Sequence, residues 1–256
     1  MTFSALSGLL PWAGLLWLWS SFFLRAHLWW NEASYYTHGW AVPFLALLLL
    51  SQRNDSAATN TEQTAARILP ALLSLFLLFP LRLLAEPDPF WRLPLQLEAF
   101  ALVAYTLALL RLLRGFAAAR AAFPPCLVLL TALPWPALAE TFLVRTLTSL
   151  VTSVTAETLL WLGHPAEASG HLIRVADQTI LIDNACSGIR SFQGLLAIGI
   201  FLAAYFAPKP RPAFLIVAFS LFAAFLFNLC RALALSLLTL EASPELYEKW
   251  HDPVGH

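Results

Sequence analysis

Residues 183–194 read Asp-Asn-Ala-Cys-Ser-Gly-Ile-Arg-Ser-Phe-Gln-Gly and stand where a long polar stretch enters an apolar one. A thiol, small residues and a guanidinium thus meet at the start of an expected membrane helix. Cys186 and Arg190 are four residues apart and share a helix face. A cation beside a thiol at a helix N-terminus lowers the thiol pKa and enriches the thiolate, which is the nucleophilic form. On that ground Cys186 is a candidate nucleophile. It is equally a small apolar residue that fills a helix contact, with Arg190 reaching for the interface. Local chemistry leaves both open.

A second charged group lies inside the last apolar run, in Asn228-Leu229-Cys230-Arg231. An arginine within a span costs at least ~2.5 kcal/mol on insertion scales and needs a partner. Asn228 precedes Arg231 by three residues and shares its face. Arg231 either serves a site or is tied to helix-end carbonyls or an aspartate. Cys230 points about 100° away and is expected to pack. Cys126, in a Pro-rich run, is expected to pack as well. His251, in Trp-His-Asp-Pro-Val-Gly, follows the last span and is able to move a proton; as an interfacial His beside Trp250 it would do nothing of the kind. Tyr35-Tyr36-Thr37-His38-Gly39-Trp40 fits an aromatic interfacial belt, and His38 either belongs to that belt or lines a polar site.

The elements that position these residues are membrane helices. The chain has 256 residues, of which 59% are hydrophobic and 12% charged, and a mean hydropathy of +0.71. A soluble domain carries about twice that charged share. Leu-rich runs recur at nearly span length, so the fold class is all-α, a polytopic transmembrane bundle in one domain, 1–256. The 15 basic and 15 acidic residues balance, which argues against nucleic acid as a partner. Three cysteines, all in or next to apolar runs, form neither a disulfide framework nor a metal cluster. The first span lacks a basic leader and a small-residue cleavage site, so it reads as a retained helix.

Hydropathy places seven spans at 4–24, 36–51, 68–85, 95–113, 117–137, 187–207 and 213–240. The short loops 51–67, 111–120 and 208–212 hold Arg53, Arg67, Arg111, Arg114, Arg120, Lys209 and Arg211 and fall on one side in this count. The positive-inside rule makes that side cytoplasmic. Cys186, Arg231 and His251 then face outward. Residues 138–162 are apolar but carry Glu140, Arg145, Glu157 and eight Thr or Ser residues; the expectation is an amphipathic helix at the outer interface. Residues 171–183, His-Leu-Ile-Arg-Val-Ala-Asp-Gln-Thr-Ile-Leu-Ile-Asp, look like two short strands around Asp177-Gln178, an outer β-hairpin.

Together these residues resemble the exosortase/archaeosortase transpeptidases. Ala185-Cys186-Ser187-Gly188-Ile189-Arg190 is similar to that family's nucleophile motif, Asn228-x-x-Arg231 to its second and His251-Asp252-x-x-Gly255 to its third. Tyr36-Thr37-His38-Gly39 is similar to a tract near the family's start. The resemblance covers most of the chain. It implies about eight spans, with a last helix after the third motif, where this chain supplies seven before His256. It implies a multi-pass protein of the cell inner membrane, in contact with membrane lipid, with an extracytoplasmic active site. Its substrates would be exported proteins bearing a C-terminal recognition motif, a transmembrane helix and a basic end. Such an enzyme cuts near the motif and passes the new C-terminus to an acceptor.

The roles implied are thiol acyl transfer by Cys186, oxyanion stabilisation or substrate holding by Arg231, and proton shuttling by His251. Arg190, Asn228, Ser187 and His38 would bind substrate. No metal or organic cofactor is implied. Gram-positive sortases use a Cys, Arg and His set on an unrelated β fold, so the likeness to them would be convergence. Two rival readings stand beside this one. A membrane transferase for polyprenyl-linked sugars would need clustered carboxylates or a metal site, whereas the acids here are scattered. A non-catalytic export or assembly protein would run polar residues through the bilayer, whereas here they collect on one side.

Overall fold

In a computed structural model the described residues are 3–32, 34–52, 64–175, 178–181, 188–207 and 209–241. Eight helices occur among them: α1 (Phe3–Glu32), α2 (Val42–Ser51), α3 (Thr64–Ala85), α4 (Arg92–Arg114), α5 (Phe116–Leu130), α6 (Ala137–Trp161), α7 (Ile189–Phe206) and α8 (Pro210–Glu241). A 3-10 helix, Ser34–Trp40, precedes α2, and three short strands follow α6: β1 (Ala166–Ser169), β2 (Leu172–Val175) and β3 (Gln178–Leu181). The all-α membrane class holds, with a small sheet added.

The span boundaries shift for physical reasons. α4, α6, α7 and residues Pro210–Leu240 are long and apolar enough to cross a membrane, and Ala71–Leu84 and Phe116–Leu130 are shorter apolar helices. The expected seven spans are not reached on length and composition among the described residues. The run 36–51 is not one helix: Ser34–Trp40 is 3-10 and α2 has ten residues, about 15 Å of rise. The run 117–137 stops at Leu130, because Pro134 and Pro136 remove donors and push the residues before them out of helical geometry. The stretch 138–162 falls almost wholly in α6, a single helix of 25 residues that meets the length and hydropathy of a span, although the sequence places it at the interface.

The residues fall into two compact units, Met1–Trp135 with Ile200–Ala213 and Pro136–Gly199 with Phe214–His256. In the first, α5 packs on α2 and α4, and α4 on α1 and α3. Small side chains (Ala118, Ala119 and Ala122) are buried on α5 and permit close approach. This unit has two distinct ends. At one end Trp29, Trp30, Tyr36, Trp40 and Phe90 stack edge to face. At the other, Gln52 Nε2 donates to the Tyr205 hydroxyl at 3.0 Å, and Arg114 lies over the Trp12 ring.

The irregular stretch after α5 shows how a membrane protein tolerates backbone outside helices: each freed polar group needs a partner. The Thr131 carbonyl faces His38 Nε2 at 3.1 Å, and the Ala132 carbonyl accepts from Trp30 Nε1 at 3.0 Å. Gln96 donates to the Pro134 carbonyl and Arg92 to the Trp135 carbonyl. The Trp135 N–H donates to the Tyr36 hydroxyl. Gly39 is essential to this clamp, since a Cβ there would lie 2.2 Å from Trp30 Nε1.

In the second unit, β2 pairs antiparallel with β1 and β3. The β2–β3 pair is the hairpin expected around Asp177-Gln178, and β1 is an additional strand. Alternation buries Ile173 and Val175 on one face. They pack with Ile180, with Val151, Ala156 and Leu159 of α6, and with Ala232 of α8.

Candidate functional site

The chain enters α7 through Gly188, whose φ is +77°. That left-handed geometry suits a residue without Cβ. Space demands glycine as well: a Cβ at position 188 would lie 2.5 Å from Asn228 Cγ and 2.7 Å from its Nδ2. Further along, a Cβ at Gly199 would meet Ser220 Oγ at 2.8 Å. Contact moves forward along α7 and backward along α8, so the two helices run antiparallel, locked at two glycines. The sequence spends its small residues where two backbones must come close.

The consequence is a meeting of two motifs. Gly188, from the Cys-Ser-Gly-Ile-Arg tract, rests on Asn228, from the Asn-Leu-Cys-Arg tract. Asn228 is only 4% exposed. Arg231 follows three residues later on α8, half-buried, with its Nε buried. Arg190 lies in the first turn of α7, also half-buried. The 188 carbonyl accepts from the Phe192 N–H at 2.9 Å and closes the first turn. Cys186, Ser187 and His251 lie outside the described residues.

His38 belongs to the first unit and faces the Thr131 backbone carbonyl through Nε2. That contact, with the ring donating to the carbonyl, helps to hold the stretch after α5. Cys126 is buried, as the packing expected of it requires, whereas Cys230 is exposed and does not pack as expected.

Two features escaped the sequence reading. Gln193 on α7 is 1% exposed, and among the described residues neither its amide nitrogen nor its amide oxygen has a hydrogen-bond partner. The signal available was a lone amide in an apolar run, five residues after Gly188. The second is an ion pair between Arg25 on α1 and Glu98 on α4, with side chains 15% and 6% exposed. Arg25 Nε and Nη1 and Glu98 Oε2 are buried without further partners. Such pairs inside a span are rare and bind helices together. No motif surrounds either residue.

A family model described as transmembrane exosortase (Exosortase_EpsH) matches residues 29–256. Neither curated proteins nor solved structures give a match.

Proposed function

This chain belongs to the transmembrane exosortase family, whose members are membrane-embedded sorting transpeptidases, and we propose that it is a cysteine transpeptidase acting on the C-terminal tails of exported proteins. The observation that carries this reading is the seating of Gly188 on Asn228. It joins the tract that bears the candidate thiol to the helix that bears the candidate guanidinium. Acyl transfer requires both within reach of one carbonyl.

The chemistry proceeds in two balanced steps. The Cys186 thiolate attacks the scissile carbonyl and forms a tetrahedral oxyanion, which the Arg231 guanidinium stabilises. Collapse breaks the C–N bond, leaves a thioester on Cys186 and releases the tail as an amine that takes its proton from His251. His251 then removes a proton from the acceptor, whose amine or hydroxyl attacks the thioester and restores the thiol. Ser187, Arg190 and Asn228 are assigned to substrate binding. His38 is proposed to serve the site by holding Thr131–Trp135 in place.

The active site is proposed to face outward, with the loops around 111–120 and 208–212 cytoplasmic by the positive-inside rule. Two features of the first unit support this. Tyr205, near the end of α7, pairs with Gln52 at the end where Arg114 and Arg120 stand, so the short basic loops share one end. The Trp135 backbone belongs to the opposite end, beside Tyr36.

The test is processing of a co-expressed tailed protein, read as a drop in size. Cys186→Ala should abolish it without loss of the membrane protein, since so small a truncation at a helix end removes little packing. Arg231→Lys should fail where the planar fork is required. Full processing by Cys186→Ala would return the choice to the transferase or assembly reading. Labelling of Lys209 in intact cells by an impermeant amine reagent would reverse the proposed sidedness.

A further inference from the structure

Among the described residues of the first unit, two cavities flank α5. The first, of about 640 Å³, lies among α1, α2, α4 and α5. It follows α5 from Leu129 to Ala118, about 16 Å of rise. The second, of about 850 Å³, is bounded by α2, α5 and the 204–207 segment. Their linings share one plan. Each is mainly apolar, and each has a single charged lining residue among the described residues: Arg114 in the first and Arg120 in the second. Thr106 lines the first, but its hydroxyl already donates to the Leu102 carbonyl and accepts from Trp19 Nε1.

Both arginines stand at the same end of the unit, on either side of Gly115. Arg111 is beside them, and Lys209 and Arg211 follow the Tyr205 that borders the second cavity. The acids described in this unit, Glu32, Glu86, Asp88 and Glu98, lie toward the other end, with the aromatic cluster and the α3–α4 turn. A ligand that fits must therefore be hydrocarbon over most of its length and anionic at one tip, with that tip at the basic surface. A zwitterionic headgroup brings its own cation and gains less from an end where basic residues outnumber acids.

We propose that these two cavities are binding sites for anionic phospholipid from the basic-side leaflet, with acyl chains along α5 and the phosphates held by Arg114 and Arg120. Lipid binding there does not depend on the peptide chemistry proposed above.

The test uses the purified full chain, stripped of lipid in detergent, with native mass spectrometry and thermal unfolding as readouts. Dioleoylphosphatidylglycerol should remain bound at up to two copies and raise the melting temperature. Dioleoylphosphatidylcholine and inorganic phosphate should do neither. Arg114→Gln and Arg120→Gln should each weaken retention about fivefold, the effect of one surface cation, and Arg114→Lys should restore it. Circular dichroism of each variant confirms that the helices persist. Equal retention of the two lipids, or retention of phosphatidylglycerol that survives both glutamine changes in folded protein, overturns the proposal. A response to inorganic phosphate alone would also overturn it, because the hydrocarbon part would then contribute nothing.

Discussion

A methyl group on the α-carbon of Gly188 would lie 2.5 Å from the Cγ of Asn228, a distance at which one of the two helices must move. Steric contact and backbone geometry act together here, since φ at Gly188 is +77°. Gly188→Ala is therefore expected to cost about 3 kcal/mol, the sum of left-handed strain and overpacking, and to abolish tail processing. Asn228→Ala in the same chain should recover part of the stability, because it removes Cγ and Nδ2 from the clash. It should not recover activity. A double-mutant cycle in thermal unfolding reads the coupling, and additive losses would show that the two residues do not press on each other.

The buried ion pair predicts an asymmetry. Glu98→Gln leaves the Arg25 charge without a counter-ion in an apolar unit and should cost about 3–5 kcal/mol. Replacing both, as Arg25→Met with Glu98→Leu, should recover most of that loss, since neither desolvation cost remains. Comparison of unfolding midpoints for the single and double variants decides it. A double variant as unstable as the single one would assign the loss to shape rather than charge.

Much of this was legible in the sequence, for reasons tied to particular residues. α4, α7 and α8 emerge within a few residues of their hydropathic runs because nothing inside them interrupts the pattern. The hairpin of β2 and β3 was readable from β-branched residues around Asp177-Gln178, whereas β1, Ala-Glu-Ala-Ser, carries no such side chains and was invisible. The hydropathic run 117–137 outlasts its helix because hydropathy counts Leu133 and Trp135 and ignores the geometry of the prolines between and after them. Arg25 and Glu98 are 73 positions apart, and only tertiary packing brings them together. For the site, residue types flagged Asn228 and Arg231, but the requirement for Gly188 against Asn228 is a fact of helix packing that no local pattern contains.

Orphaned polar groups on α6 and α7 give a prediction of opposite sign. Thr148 and Thr152 each return their hydroxyl to the carbonyl four residues earlier, at 2.8 Å. Thr155 is equally buried and makes no such bond, and the Gln193 amide is likewise without one. A buried unpaired group costs about 1–3 kcal/mol. Thr155→Val and Gln193→Leu should therefore raise the unfolding midpoint, whereas Thr152→Val should not. A lowered midpoint for both orphan variants would mean that these groups are satisfied in the membrane.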